Sequence, residues 1–290
     1  MMASLTSTAF RPQGSDRIDP MLVVLWVGLI AIALLWFAPI VFILFTSLKT
    51  NADVMNTGAF TPPPELFFQN YPDAWQRGSF GTRFMNSAII TLVKVPVGLL
   101  MSAMAAYALA RVTVPAKKLM LLLVLFGTMI PFQVMLAPLF TLVNDFGLLN
   151  TRLGLMLPYI AFGVPYQVFV LHGFFKEVPK ELSEAAIVDG ASHFTIFRRI
   201  FLPISLPVLA ALLILDFVST WNEFAMALVI LLEGKMWTLP LSLMAFQGEF
   251  GSEYGPLNAA IVTTVLPAVI VYLIFQRYFV GGLTSGAVKG

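Results

Sequence analysis

The sequence predicts an all-α integral membrane protein with six transmembrane helices. Three observations carry this prediction: 59% of the 290 residues are hydrophobic, only 11% are charged, and the mean hydropathy is +0.88. A soluble domain carries about 25% charged residues, so lipid surrounds most of this chain. Backbone groups in lipid must be paired within their own segment, and the apolar blocks lack the alternation of a membrane barrel. Helices therefore remain as the spanning structure.

Six apolar blocks are each long enough to cross about 30 Å of hydrocarbon, which takes roughly 20 helical residues. The first block is too long for a signal-peptide core, and no cleavage pattern follows it, so we expect it to remain as a span. The predicted organisation is an N-terminal tail over 1–21, a membrane domain over 22–280 and a C-terminal tail over 281–290. We place the spans at 22–46, 84–110, 119–143, 153–175, 205–232 and 257–280.

Prolines interrupt several of these spans. They remove a backbone N–H and kink a helix. One interpretation is ordinary packing and bending, and the other is that the kinks shape a central cavity or a hinge. The prolines are Pro39, Pro96, Pro131, Pro138, Pro158 and Pro165.

The distribution of Lys and Arg predicts which side of the membrane each loop occupies. Positive residues near the ends of spans favour the cytoplasm. With the N-terminus inside, 11 of the 17 Lys and Arg residues lie inside and five lie outside, while Lys94 lies within a span. We therefore expect both termini and the segment 176–204 in the cytoplasm. The loops 48–83 and 233–255 then lie outside, where the second, with Glu233, Glu249 and Glu253, is able to reach an external partner.

Composition also bounds the chemistry of the chain. There is no cysteine, which excludes disulfides, thiolate catalysis and cysteine-ligated zinc. The two histidines, His172 and His193, are far apart in the sequence, so no metal site is predicted. A net charge of +2 gives no reason to expect nucleic acid. The chain also lacks the G-x-x-x-x-G-K-[ST] phosphate loop, so it is not itself a P-loop ATPase.

The segment 176–204 is a charged interruption between apolar blocks. Glu184, Ala185 and Ala186 follow a helical start, and Gly190 is a natural stop because it tolerates left-handed geometry. Ser192 is placed to cap a second short helix. That helix carries Phe194, Phe197 and Phe201 at helical spacing. Two interpretations stay open: an amphipathic linker at the membrane surface, or a helix–turn–helix whose phenylalanines enter a groove on a partner.

The same segment resembles the EAA loop of permease subunits of ATP-binding-cassette importers. The signature is Glu-Ala-Ala, three residues, Gly, nine residues and Ile-x-Leu-Pro. This chain has Glu184, Ala185, Ala186, Gly190, Ile200, Leu202 and Pro203 at those positions, with Asp189 also fitting. Similarity to the smaller six-span permease of maltose-type sugar importers continues in Gly173-Phe174-Phe175, Trp221-Asn222-Glu223-Phe224 and the ending Gly282–Gly290.

This resemblance implies a type I importer permease fold with a cytoplasmic coupling helix that docks in a cleft of an ATPase. Glu184 and Asp189 would supply polar contacts there, while Ala185 and Ala186 would allow close packing. Gly190 would make the bend, and Phe194 would anchor the helix in the partner. The C-terminal tail, in particular 286–290, is either a frayed end or a second contact with the ATPase.

The resemblance also implies the assembly. The expected partners are a second permease in a heterodimer, an ATPase dimer, an extracytoplasmic sugar-binding protein and the membrane lipid, with no nucleic acid. The chain itself would bind no cofactor, since ATP and Mg would sit on the ATPase. Its expected location is the plasma (inner) membrane of a bacterium or archaeon, with several spans.

Charged residues in the interior of the predicted spans include Lys94, Asp216 and Glu223. A charge facing lipid is costly, so each is expected to face the bundle interior or water. Asp216 and Glu223 are seven residues apart and are expected on one helix face, with Lys94 paired to either. A structural ion pair, Lys94 with Asp216, is one interpretation, and a substrate or gating role is the other. Gln133, Asn222 and Glu223 form the candidate substrate path, since their side chains suit sugar hydroxyls.

Two other functions stay open from the residues alone. One is an intramembrane enzyme acting on a lipid-linked sugar, for which Asp216 and Glu223 are the only buried carboxylates, with no ligand cluster beside them. The other is an ion-coupled secondary transporter in which one of these carboxylates carries protons. The absence of an evident internal repeat weighs against the second.

Overall fold

The computed structural model describes residues 20–246 and 253–287, and the side chains of residues 21–246 and 253–276. This part of the chain consists of helices joined by short loops. A π-helical turn, Phe197–Phe201, lies between α9 and α10, and a 3₁₀ helix, Pro240–Phe246, precedes α13. The α-helices are α1 Pro20–Ser47, α2 Asn51–Asn56, α3 Asn70–Arg77, α4 Phe80–Arg111, α5 Lys117–Met129, α6 Phe132–Asp145, α7 Arg152–Glu177, α8 Lys180–Val188, α9 His193–Ile196, α10 Leu202–Ile204, α11 Leu206–Trp221, α12 Ala225–Ile230 and α13 Tyr254–Ala287.

Four of these helices are long and apolar enough to cross a membrane singly: α1, α4, α7 and α13. Two bent pairs bring the number to six within the described residues if each pair forms one span. One pair is α5 with α6, and the other is His193–Ile204 with α11. The predicted fold class, an all-α membrane protein with six spans, is confirmed.

The third span differs from the continuous helix predicted over 119–143. Its two halves, α5 and α6, meet at an angle of 100°. The break falls at Ile130 and Pro131, where the ψ angles are 116° and 122°. Proline lacks a backbone N–H and forces the residue before it out of the helical region, so the helix stops at Met129 and restarts at Phe132.

The fifth span also differs from the predicted helix over 205–232. α11 ends at Trp221, and the short α12 begins only at Ala225. The Glu223 carboxylate accepts hydrogen bonds from the backbone N–H groups of Met226 (2.7 Å) and Ala227 (3.1 Å). These bonds pair N–H groups that have no partner within the first turn of α12. The prediction that Asp216 and Glu223 share one helix face is therefore wrong, because the helix ends between them.

The segment after α12 packs against the side of α4 instead of forming a free outer loop. Asn86 donates hydrogen bonds from Nδ2 to the carbonyls of Lys235 (2.9 Å) and Trp237 (3.0 Å), and Ser87 Oγ accepts one from Leu239 N (2.8 Å). Irregular backbone is tolerated among membrane helices only where protein groups pair it. Buried polar side chains on α4 provide that pairing. Glu249, predicted on the same outer loop, lies outside the described residues.

The centre of the molecule is the pair α4 and α7, which make the most extensive helix–helix contact. α11 packs against α4 and α13, and α13 carries α1 on its other side. α1 itself is peripheral: none of the residues in its most apolar window is buried. α13 continues as far as Ala287, beyond the predicted start of the C-terminal tail at 281, whereas residues 1–19 and 288–290 lie outside the described part.

Candidate functional site

A polar cavity of about 480 Å³ lies between the α5–α6 bend, α7 and the C-terminal end of α11. It brings together four residues that the sequence places in three separate spans: Lys94, Gln133, Asp216 and Glu223. The remaining lining residues are small, aliphatic, aromatic or hydroxyl-bearing or contain a thioether: Gly127, Thr128, Ile130, Pro131, Phe132, Tyr159, Phe162, Gly163, Tyr166, Ser219, Thr220 and Met226.

The predicted ion pair is present in this cavity. Lys94 Nζ is paired with Asp216 Oδ1 and also donates a hydrogen bond to Thr220 Oγ1 at 3.2 Å. The two charged side chains are 3% and 10% exposed, respectively. The second carboxylate oxygen, Asp216 Oδ2, is buried without a hydrogen-bond partner among the described residues. The pair thus joins α4 to α11 and leaves an acceptor beside the cavity.

A glycine on α7 makes room for this pair. A Cβ atom on Gly163 would lie 3.2 Å from Lys94 Nζ and 3.5 Å from Asp216 Oδ1, which is tighter than ordinary packing for the first contact. The sequence shows only a glycine within an apolar span, so this role was not predicted. It follows only from the crossing of α4, α7 and α11.

The carboxylate of Glu223 lines the cavity and also makes structural contacts. Besides the two backbone N–H groups of α12, its carboxylate accepts a hydrogen bond from the hydroxyl of Tyr159. Tyr159 lies on α7 and was not identified from the sequence, since an isolated aromatic in an apolar span gives no signal. The carboxylate therefore holds α12 in place and also lines the cavity.

The two amide residues of the candidate path are separated in the structure. Gln133, in the first turn of α6, is exposed and lines the cavity. Asn222 is exposed but does not line the cavity, and its Nδ2 donates a hydrogen bond to Val218 O at 2.9 Å. Aromatic rings contribute instead. Phe132, Phe162 and Tyr166 offer flat apolar faces, which complement the polar groups at this wall.

A second candidate site is the helix–turn–helix of the segment 176–204, which is confirmed as a structural unit. α8 ends at Val188, and Gly190 follows with φ +79°, in the left-handed region that favours glycine. Ser192 Oγ then accepts a hydrogen bond from Thr195 N at 3.3 Å and caps α9.

The exposed side of this unit is partly apolar. Val188 is 87% exposed and Phe194 is 62% exposed, and both lie next to the turn. Of the EAA-loop positions, Glu184, Ala185, Asp189, Gly190 and Pro203 are exposed, whereas Ala186, Ile200 and Leu202 pack partly against the protein's own core.

Phe197 and Phe201 do not face a partner, in contrast to one of the two interpretations that the sequence left open. Both are buried, with ring centroids 5.4 Å and 5.0 Å, respectively, from that of Tyr107, and Phe201 also contacts Phe175. The helix changes from α to π at Phe197, which breaks the three- and four-residue spacing used in the prediction. Phe194 alone of the three remains on the surface.

Comparison with known proteins places the chain among transport components. The model of the family "binding-protein-dependent transport system inner membrane component" matches residues 94–284. This range includes the ion pair, the cavity and the helix–turn–helix.

Two curated relatives are similar over nearly their whole length. The diacetylchitobiose uptake system permease protein NgcG of Streptomyces coelicolor is 34% identical, covering 95% of this chain and 91% of that protein. The arabinooligosaccharides transport system permease protein AraQ of Halalkalibacterium halodurans is 37% identical, covering 92% of this chain and 96% of that protein.

A solved structure is similar throughout the fold. It belongs to a bacterial ABC transporter involved in the import of the acidic polysaccharide alginate, with a TM-score of 0.80 and 25% sequence identity. The match covers 93% of this chain and all of that chain.

Proposed function

The chain belongs to the family of binding-protein-dependent transport system inner membrane components, and from that premise we propose that it forms half of the translocation path of an ATP-driven sugar importer. It is a transporter subunit and not an enzyme, as its relatives are permeases. The family assignment disfavours an enzyme acting on a lipid-linked sugar. It equally disfavours an ion-driven carrier, since the family depends on a binding protein.

The observation that carries the proposal is the exposed helix–turn–helix between α7 and α10. We refer to α8, the turn and α9 (residues 180–196) as the wedge. The apolar residues Val188 and Phe194 lie next to its turn, and the chain bends at Gly190. A helix that presents such residues to solvent is typical of a segment that docks in a groove of another protein. In the proposed assembly the groove belongs to a cytoplasmic ATPase dimer, which holds ATP and Mg.

The rest of the proposed assembly follows from the family. A second permease completes a heterodimer, and an extracytoplasmic sugar-binding protein delivers the substrate. The chain spans the plasma membrane with both termini in the cytoplasm, on the basis of the Lys and Arg distribution. Movement of the wedge, driven by closure of the ATPase dimer, would reach the cavity through α11, because α10 and α11 follow the wedge directly in the chain.

The substrate class is proposed as a sugar or sugar derivative. The relatives named above transport sugar oligomers, and the cavity offers both components of sugar recognition. Aromatic rings such as Phe162 and Tyr166 can cover the flat faces of a ring, and Gln133, Ser219 and Asp216 can exchange hydrogen bonds with hydroxyls.

The coupling role is tested by reversing one exposed charge on the wedge. We expect Glu184→Lys to leave the protein assembled in the membrane but to lower sugar uptake by about tenfold or more, equivalent to about 1.4 kcal/mol of lost coupling. Gly190→Pro is expected to act likewise, since proline does not adopt a positive φ. The measurement is uptake per ATP hydrolysed in vesicles that contain the whole transporter.

Glu177→Lys is the matched control, because the same charge reversal there lies at the end of α7, outside the wedge. Unchanged uptake per ATP in the Glu184→Lys and Gly190→Pro variants would contradict the coupling role.

The substrate path is tested with the two amide residues that the structure separates. Gln133→Ala removes an exposed amide that lines the cavity, and we expect it to raise the apparent KM for uptake several-fold. Asn222→Ala removes an amide outside the cavity and is expected to leave the KM unchanged. Equal effects of the two substitutions, at equal amounts of assembled transporter, would show that the cavity is not the path.

A further inference from the structure

A second polar cleft lies at the basic end of the bundle, beside α8. It separates one face of α8 from the connection between α4 and α5, and it has a volume of about 460 Å³. Three cationic residues line it: Arg111 at the end of α4, Lys117 at the start of α5 and Lys180 at the start of α8. The cleft is separate from the cavity that contains Lys94; it shares Glu184 with the wedge but is not lined by Val188 or Phe194.

The cations in this cleft exceed the anions. Glu184 is the one carboxylate among its lining residues, against three cationic side chains. No ion pair within 4 Å joins Glu184 to them among the described residues. Glu181, in the first turn of α8, also lies close enough to act on the Arg111 charge, so three cations face two carboxylates. The remaining positive charge favours an anionic ligand over a neutral one.

One hydroxyl beside the cleft has an unused hydrogen-bonding capacity that an anionic oxygen would satisfy. Ser183 Oγ is buried without a hydrogen-bond partner among the described residues and lies on the α8 face that lines the cleft. α8 begins there behind Pro179, which provides no side-chain cap, so the positive end of the helix dipole adds to the cationic side chains.

Arg111 fixes the geometry of the cleft. Its Nε and Nη2 donate hydrogen bonds to the carbonyl of Phe175, with Nε 3.1 Å away, and Nη2 also contacts the carbonyl of Val178. These bonds tie the end of α4 to the end of α7. Backbone carbonyls are neutral acceptors, so they position the guanidinium without forming an ion pair, while Lys117 is held at the cleft by a hydrogen bond from its Nζ to Ala110 O at 3.3 Å.

The location of the cleft identifies the source of the anion. It lies where α4 and α7 end and α5 begins, which is the depth of the lipid headgroups for helices that span the membrane. Basic pockets between membrane helices at this depth bind the headgroups of anionic lipids. Val114 and Ile187 add an apolar wall for the start of the acyl chains.

We propose that this cleft binds the phosphate headgroup of an anionic phospholipid. The bound lipid would join the α4–α5 connection to α8, and so hold the base of the wedge at the membrane surface. The proposal depends on the membrane placement of the helices and not on the identity of the transported sugar.

The test is a titration of the purified full-length chain, in neutral detergent at low salt, with short-chain phosphatidylglycerol. The rise in Tm reports binding. We expect saturable stabilisation by phosphatidylglycerol and little by phosphatidylcholine of the same chain length. The double variant Lys117→Gln/Lys180→Gln is expected to bind about 30-fold more weakly, since each basic residue near a headgroup contributes about 1 kcal/mol.

The matched control is Lys118→Gln/Lys176→Gln, which removes two nearby exposed charges that do not line the cleft. It should bind phosphatidylglycerol as the unmodified chain does. Equal losses in the two double variants would show general surface electrostatics and overturn the proposal. So would equal stabilisation by phosphatidylglycerol and phosphatidylcholine.

Two further outcomes concern other occupants. Saturation of the same shift by inorganic phosphate, at the concentration used for the lipid, would show a free-anion site and overturn the lipid assignment. If Lys117→Gln/Lys180→Gln keeps its response to phosphatidylglycerol but no longer co-purifies with the ATPase, the cleft holds a protein partner, and the proposal is wrong.

Discussion

At the scale of single residues, Lys94 and Asp216 decide the character of the cavity. Each charge would be costly alone at this depth, and the pair compensates both. The Lys94 charge is largely neutralised by Asp216. The Glu223 carboxylate accepts hydrogen bonds from the start of α12 and from Tyr159. The cavity therefore presents hydrogen-bonding groups with no unpaired cation among its lining residues, which suits a hydroxyl-rich ligand.

Gly163 provides a residue-scale test of this packing. We expect Gly163→Ala to destabilise the protein by about 1 kcal/mol or more, because the new methyl group would push against Lys94 Nζ and Asp216 Oδ1. Gly173→Ala on the same helix is the control, since a Cβ there meets nothing within 4 Å. Alanine at that position should stabilise the helix by about 0.5–1 kcal/mol.

The measurement is the free energy of unfolding in detergent micelles. If both substitutions stabilise the protein equally, the helices have more space around the ion pair than the structure shows.

At the scale of elements, the helix–turn–helix combines one buried side and one exposed side within about ten residues. Phe201 is fully buried between Tyr107 and Phe175, so it anchors the unit to the bundle. Phe194 is 62% exposed and is not needed for that anchoring. Sequence spacing alone placed both on one face, and only the π-helical turn separates their roles.

The two phenylalanines are expected to respond oppositely to truncation. Phe201→Ala should lower the free energy of unfolding by about 3–5 kcal/mol, the range for a buried phenylalanine. Phe194→Ala should change stability by less than about 0.5 kcal/mol and weaken the association with the ATPase. Thermal unfolding of the chain and recovery of ATPase on the purified permease measure the two effects. Full ATPase recovery with Phe194→Ala would remove this residue from the proposed interface.

The bent spans mark the limit of what the sequence predicts at this scale. Hydropathy alone locates all six apolar blocks, because each must bury a full width of hydrocarbon. It does not reveal that the third is broken at Ile130, since a proline inside a membrane helix is compatible with either a kink or a break. The end of α11 at Trp221 is equally hidden, as it depends on the contacts of Glu223 with α12.

At the scale of the whole molecule, two surface features bear on the proposed assembly: the apolar surface of α1 and the opening of the cavity. α1 contacts α13 and presents the rest of its apolar surface outward, with no buried residue in its most apolar window. The apolar surface of α1 is what contact with lipid requires. The cavity is open rather than enclosed, which agrees with the proposed pairing with a second permease.

Purification tests this organisation directly. A tagged copy expressed in its native membrane is expected to bring down one second permease and two copies of an ATPase. The masses and their ratio are measured by native mass spectrometry. An active homodimer without an ATPase would contradict the proposed assembly.

The candidate sites were predictable to different degrees. The EAA-loop positions form a local motif, so their place on one helix–turn–helix unit follows from sequence order, whereas the packing of Ala186, Ile200 and Leu202 against the core does not. The cavity depends on long-range contacts, which explains why Lys94 and Asp216 were identified as charges but Tyr159, Tyr166 and Gly163 were missed. Asn222 shows the opposite error, because its neighbour Glu223 lines the cavity while its own side chain turns away.

The bend between α5 and α6 has a consequence for biogenesis. The two helices have 13 and 14 residues, which at about 1.5 Å per residue gives each roughly 20 Å, too short to cross the hydrocarbon alone. Neither helix therefore crosses the hydrocarbon by itself, and the helices that contact the bend come later in the chain: α5 packs against α7, and α6 packs against α7 and α12. A chain that has been synthesised only as far as α6 thus lacks the contacts that support the bent third span.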